Sequence, residues 1–364
     1  MPAGDSLDTA ADKWNANPSI SGGVCYNRSR NRYKPKKEGT FMEPKLQALC
    51  EQFILNRDRV KQTQKLSSSY LPPVCAHLYC TQGKTVDEER LKVCQKLIKE
   101  KTGVFSNFRG IMEMAFACML ALEEEPETAL KNALSAYNLL KKEFTASQYL
   151  PLAAFLLKDE ADVNGIIARG REIYQTMRKE HPFLTSTEDS VFAVLMAFSD
   201  KDNDALIEDM EACYTLLKER FNNGNSVQAV SHVLAMAEGT PEEKTGKLFD
   251  LFDALRRSGL KYSKYYELAT LAALSTLPVD VGQMAMDMLD VDAWLSGQKG
   301  YGFWGTPKAT RLMHATMIVS NAYTSNLTLS TAAFAGTLTM VISQQIATMA
   351  AIAGANAAIT AANS

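Results

Sequence analysis

Residues 149–157 read YLPLAAFLL, and the stretch that follows, KDEADVNGIIARGREIYQTMRKEH (158–181), sets Ile166, Ile167, Ile173, Tyr174 and Met177 along one side of a helix. The first segment is apolar nearly all round, so as a helix it belongs inside. The second has one apolar stripe and one charged face, and belongs at a surface. The pairing recurs. Short apolar segments stand at VCAHLYC (74–80), MAFACMLAL (114–122), VFAVLMAF (191–198), AVSHVLAMA (229–237) and LATLAALSTL (268–277). Each is followed by a polar turn and a longer striped run, for example Leu206, Met210, Tyr214, Leu216 and Leu217.

The period corresponds to about six repeats of roughly 39 residues. Helix starters sit in or near the turns: Thr85 with Glu88, Ser186 with Asp189, and Thr240 ahead of Pro241. A hairpin of this composition cannot bury its apolar surface alone, so neighbours must stack to complete the core. The expected fold is therefore all-α: stacked helical hairpins forming an open α/α superhelix or a closed α/α ring, with the short helices inside. No segment sustains the period-2 alternation of a strand.

Outside this pattern lie two flanks. Residues 1–41 carry no helical period, whereas an amphipathic pattern begins after Met42 with Leu46, Leu49, Cys50, Phe53 and Ile54. The segment reads as disordered or non-native, with Met42 as the biological start; back-translating Lys37, Glu38 and Gly39 permits a purine-rich ribosome-binding run just upstream. The alternative is a genuine disordered tail, basic from Arg28 to Lys37. Residues 42–325 form the helical-hairpin domain. Residues 326–364 are an uncharged, Ala- and Thr-rich helical segment, with no Asp, Glu, Lys or Arg after Arg311. Membrane contact through 327–360 is one reading of it. Gln344, Gln345 and the sparse Leu and Phe favour a helix pair packed against the stack.

A formal net charge of -2 leaves no surplus of cations for a nucleic-acid backbone, so nucleic acid is not an expected partner. The seven cysteines, Cys25, Cys50, Cys75, Cys80, Cys94, Cys118 and Cys213, are scattered and form no CxxC pair, as expected of reduced core thiols in a cytoplasmic protein. No secretory signal opens the chain.

Chemistry-bearing motifs are few. Asp200, Asp202, Asp204 and Glu211, with Glu208 between, match ligand positions of a calcium-binding helix–loop–helix, although Ala205 stands where that loop requires glycine. They are the candidates for a divalent cation; capping of a helix start by Asp is the plainer reading. The loop GYGFWGTP (300–307) opens a helix, and glycines, cations and aromatic rings at a helix start can hold an anion or a flat ligand. Tyr301, Phe303, Trp304, Lys308, Arg311 and His314 are accordingly the candidate ligand-binding residues. DMLDVD (287–292) places Asp287 and Asp290 one turn apart, as a solvated acidic face. His77 and His232 occupy corresponding apolar segments and read as core-lining. No nucleophile elbow, phosphate loop, dinucleotide fingerprint or paired-histidine metal motif occurs, and no cofactor is evident.

The run from Met42 to about residue 325, with GVFSNFRG, YLPLAAFLL, EDSVFAVLMAF and the Gly-aromatic loop before RLMHATMIVS, resembles an uncharacterised bacterial family labelled a domain of unknown function, number four thousand and three. The resemblance implies no activity, cofactor or catalytic residue. From the residues, the expected function is a cytoplasmic interaction scaffold with a protein partner; the alternative is a ligand-binding protein or enzyme whose cavity lies inside an α/α ring.

Overall fold

The computed structural model describes residues 42–63, 71–302 and 305–324; the flanks 1–41 and 326–364, and with them the start-site and C-terminal expectations, lie outside the described residues, as do Phe303 and Trp304. In chain order the helices are α1 (Pro44–Gln62), α2 (Leu71–Thr81), α3 (Glu88–Lys101), α4 (Ile111–Leu122), α5 (Pro126–Glu143), α6 (Leu150–Leu156), α7 (Val163–Glu180), α8 (Asp189–Met196), α9 (Asn203–Lys218), α10 (Gly224–Ala235), α11 (Pro241–Arg257), α12 (Leu268–Thr276), α13 (Val281–Ser296) and α14 (Lys308–Thr324). No strand occurs among the described residues. Nor is any helix among them long and apolar enough to cross a membrane.

The composition of each helix decides its place. Every residue of α8 is buried, from Asp189 to Met196. In contrast, α3 buries only Leu91, Cys94 and Ile98, a single stripe at helical spacing. Burying a Leu or Phe side chain is worth about 1.5–3 kcal/mol, so the short helices carry a large share of the core. The six described cysteines are all buried and none is disulfide-bonded.

Helix starts follow local chemistry. Thr240 caps α11 through the Glu243 amide, and Glu243 returns the bond to the Thr240 amide, a reciprocal capping box. Asp189 accepts the Ser186 amide at 2.7 Å. At α3 the cap is Asp87, whose carboxylate accepts from Glu89 and Arg90, and not Thr85 as the sequence suggested: a carboxylate next to the first turn outcompetes a hydroxyl further out.

Of the two long helices beside it in the chain, each short helix packs mainly against the one before it, as α2 with α1, α8 with α7 and α10 with α9; the long helix after it is at most a minor neighbour. Greasy helices thus take shelter from the preceding unit. The six short-to-long units run from α2–α3 to α12–α13; counted from long to short the pairs number seven, because α1 stands before the first short segment and α14 takes the short-helix position of the last pair. Long helices touch in succession from α1 to α13, and α13 also touches α1. The last helix, α14, lies against α12, α1 and α2.

Cations on the long helices bind the carboxyl ends of the buried ones. Arg90 Nε donates to the Ala121 carbonyl at 2.8 Å, Arg169 Nη1 to Ala197 at 3.2 Å, and Lys45 Nζ to Ala322 at 2.9 Å, while Lys247 reaches the Leu277 carbonyl. These carbonyls have no intrahelical partner, and the positive charge also suits the negative end of the helix dipole.

Gly170 marks the closest approach of α7 to α8: a Cβ there would sit 3.1 Å from the Val194 Cα, backbone that cannot swing away. Gly246, in α11, has nothing within 4 Å of its Cβ position. Gly170→Ala is therefore expected to destabilise the protein by about 1–3 kcal/mol, and Gly246→Ala to stabilise it by about 0.5–1 kcal/mol through the unfolded chain. Urea unfolding of the two variants checks the opposite signs.

Candidate functional site

The turn before α14 closes on itself. The Thr306 amide donates to the Gly300 carbonyl at 2.7 Å, Gly300 has φ +90, and a Cβ at Gly305 would collide with that same carbonyl. This closure holds Tyr301 beneath the turn, buried, with its hydroxyl 2.8 Å from His314 Nδ1 one and a half turns into α14. The Arg57 guanidinium of α1, itself buried, lies 5.3 Å from the Tyr301 ring centre and is ion-paired to Asp58 at 2.7 Å. The Phe53 ring also packs near the imidazole, with ring centres 6.0 Å apart.

Burial pushes the Tyr301 phenol up to about 12, partly offset by Arg57. Burial also brings His314 down to about 3, helped by the charges of Arg57 and His77. At neutral pH the pair is thus a protonated phenol and a neutral imidazole. Whichever tautomer the imidazole adopts, its Nε2 is buried with no hydrogen-bond partner among the described residues.

Of the six residues expected to bind a ligand, the structure brings together Tyr301 and His314. Arg311 instead turns to Asp292, with Nε 2.7 Å from its carboxylate. Lys308 is exposed at the first position of α14. Arg57 and Phe53 come from the opposite end of the chain. Spacing around residue 300 carries no signal for either, although both fall on the buried stripe of α1.

The four candidate cation ligands are not brought to one point. Asp202 caps α9 by accepting the Asp204 amide at 2.7 Å, and the Glu211 carboxylate lies 2.9 Å from His181 Nε2. No group of three or more His, Cys, Asp or Glu suited to a metal occurs among the described residues. The DMLDVD stretch is not a solvated face: Asp287 is buried and accepts from Gln283 and Tyr323, and Asp292 is buried against Arg311. Tyr323 closes over Asp287 from α14, a contact no local spacing encodes.

A wider pattern surrounds the Tyr301–His314 pair. Buried side-chain atoms without a hydrogen-bond partner among the described residues include Tyr79 Oη on α2, both ring nitrogens of His232 on α10, Glu267 Oε2 and Thr270 Oγ1 at the start of α12, and the Asn321 amide with His314 Nε2 on α14. All belong to four helices that are successive neighbours, α10, α12, α14 and α2. His232 also lies 3.8 Å from the buried Asp189 carboxylate, with the Phe192 ring 5.2 Å from its own. Burial raises Asp189 to about 7 and lowers His232 to about 3, so both are held neutral below neutral pH.

Stability should respond to acid with a defined sign. His77, His232 and His314 are lowered by burial to about 4, 3 and 3 from an ordinary 6.5. Between pH 6.5 and 4 the unfolded chain therefore gains protons that the fold refuses, and stability falls. Asp189, raised from 3.8 to about 7, works in the opposite sense over the same window. Glu188 and Asp287, also raised by burial, add to that opposition to a smaller extent, and the three imidazoles, each worth up to about 1.4 kcal/mol per pH unit, set the sign. Urea midpoints should drop on acidification from pH 7 to 5, with a shallower slope in His232→Leu; a flat profile would contradict the burial of neutral imidazoles.

A relative described as an uncharacterized protein, YeaA of Bacillus subtilis (strain 168), is 24% identical over 311 residues, covering 82% of this chain and 92% of that protein. No solved structure matches the chain. Residues 56–347, which span Arg57, Tyr301 and His314, match the family described as "Protein of unknown function (DUF4003)", and the chain belongs to that family.

Proposed function

We propose that the seven helix pairs close into an α/α ring with the short helices inside, and that one side of its inner wall, from α10 through α12 and α14 to α2, binds a small polar metabolite rich in hydroxyl or amide groups. Closure is supported by the contacts of α13 with α1 and of α14 with α1 and α2. A closed ring leaves no open concave face for a protein to lie along, which favours an interior ligand over the scaffold reading.

The observation that carries the proposal is the set of unmatched polar atoms on those four helices. A buried donor or acceptor left without a partner costs about 1–3 kcal/mol, and natural proteins rarely keep several in neighbouring positions unless water or a ligand completes them. The set mixes donors and acceptors and contains one carboxylate, Glu267, while Arg57 and Arg311 are already held by Asp58 and Asp292. That chemistry suits a neutral, hydroxyl-bearing molecule better than a phosphate or carboxylate.

Two measurements test it. Thr270→Val should raise the melting temperature of the ligand-free protein by about 2–4 °C, since an unmatched hydroxyl gives way to a methyl of the same shape. A panel of sugars, polyols, nucleosides and amino-acid amides screened by thermal shift should contain a compound that stabilises the natural chain and not His314→Phe. Destabilisation by Thr270→Val, or a panel without effect, overturns the reading.

A further inference from the structure

We infer that the end of the molecule where the long helices finish is a docking face for an anionic lipid bilayer. The inference rests on charge and exposure at one end and is independent of any ligand in the interior.

Direction comes first. Lys45 at the start of α1 reaches the last turn of α14, Arg90 at the start of α3 reaches the end of α4, and Lys247 in the first half of α11 reaches the residue after α12. Long helices therefore begin where short ones end, and the connections from long to short helices lie together at the opposite end.

Charge separates along this axis. The first turns of α3, α9 and α11 carry Glu88 and Glu89, Asp204, and Glu242 and Glu243, while Glu127 in the first turn of α5 is bridged to Lys101 and so adds to neither end. Six of the seven long helices have Lys or Arg in the last turn. Each is an ordinary match to its own helix dipole. Because the long helices point the same way, the local matches add up to one acidic and one basic end. Lys99 and Lys101 of α3 are taken up by Glu113 and Glu127. The exposed pairs Lys141 and Lys142, Arg178 and Lys179, and Arg256 and Arg257 have no ion-pair partner among the described residues, and they outnumber the exposed Glu143 and Glu180 beside them, leaving a net positive charge.

The second observation is apolar. Phe105 is 100% exposed, Phe183 99%, Val104 75% and Tyr265 63%. They lie in the long-to-short connections 102–110, 181–188 and 258–267, all at the basic end. The other exposed large apolar side chains, Leu55 and Val93, are on the flanks of α1 and α3, and none lies in a short-to-long connection among the described residues. Nothing within the fold requires an aromatic ring at these tips.

Separate apolar tips among cations fit a bilayer, where rings enter the interface and Lys and Arg meet anionic headgroups. A protein partner would call for one contiguous, pocketed patch, not tips on three connections. A single strand of nucleic acid could stack on Phe105 and Phe183 but has no use for the aliphatic Val104 beside them.

Co-sedimentation of the full chain with phosphatidylcholine vesicles, with and without phosphatidylserine, tests this. Binding is expected only with phosphatidylserine, weakened by added salt, and reduced about tenfold in the double variant Phe105→Ser, Phe183→Ser. The exposed sites leave its melting temperature unchanged. Arg256→Gln with Arg257→Gln should weaken binding and its salt dependence together. The inference is overturned by absence of binding, by an unaffected double variant (the result if residues 326–364 carried the interaction), or by capture of a single-stranded oligonucleotide at salt where vesicles are released.

Discussion

An α-helix with no polar side has to be surrounded, and in this chain the surrounding cannot come from one partner. The short helices set the terms. With seven and eight residues, α6 and α8 are well below the roughly 12–15 residues at which an isolated helix holds in water. They exist because α5 and α7 cover one side of them and the two pack on each other. Each unit therefore borrows stability from the one before it, and a lone hairpin has no reason to fold.

Placing helices in the interior hides their ends as well as their sides, and hidden carbonyls need donors. Arg90, Arg169, Lys201 and Lys247 supply them from the long-helix layer and the turns leading into it. Their charged heads reach the helix ends, so residues that read as part of a solvated face in fact tie the two layers together. Lys244 extends the scheme: it bonds the Asp209 carboxylate, which also holds Lys201, so that adjacent pairs share one ionic knot.

Much of this was legible in the sequence because period and composition are local properties. The short segments, the striped helices and the capping box at Thr240 all follow from neighbours within a few residues. What escaped is what the chain brings together from far apart. Long, and carrying Lys308 and Arg311, α14 did not look like an inner helix; it acts as one because α1, α2 and α12 surround it. Tyr301 and His314 were visible through their glycine-rich turn, whereas Arg57 and Phe53 join them only because the last helix meets the first. Asp287 and Glu211 show the same limit, since spacing gives the side of a helix a carboxylate is on, not that Tyr323 or His181 waits there.

The buried layer is chemically lopsided. From Met114 to Leu122, α4 buries only apolar side chains, and α6 buries Leu150 to Phe155 with no polar side chain among them. By contrast, α10, α12, α14 and α2 keep histidines, a glutamate, a threonine and an asparagine at positions where Leu or Met would pack without leaving an atom unmatched. Packing alone favours the apolar choice throughout, as α4 and α6 demonstrate within the same chain. Polar groups concentrated on these four helices, at a cost to stability, are what the interior ligand proposed above accounts for and what packing alone does not.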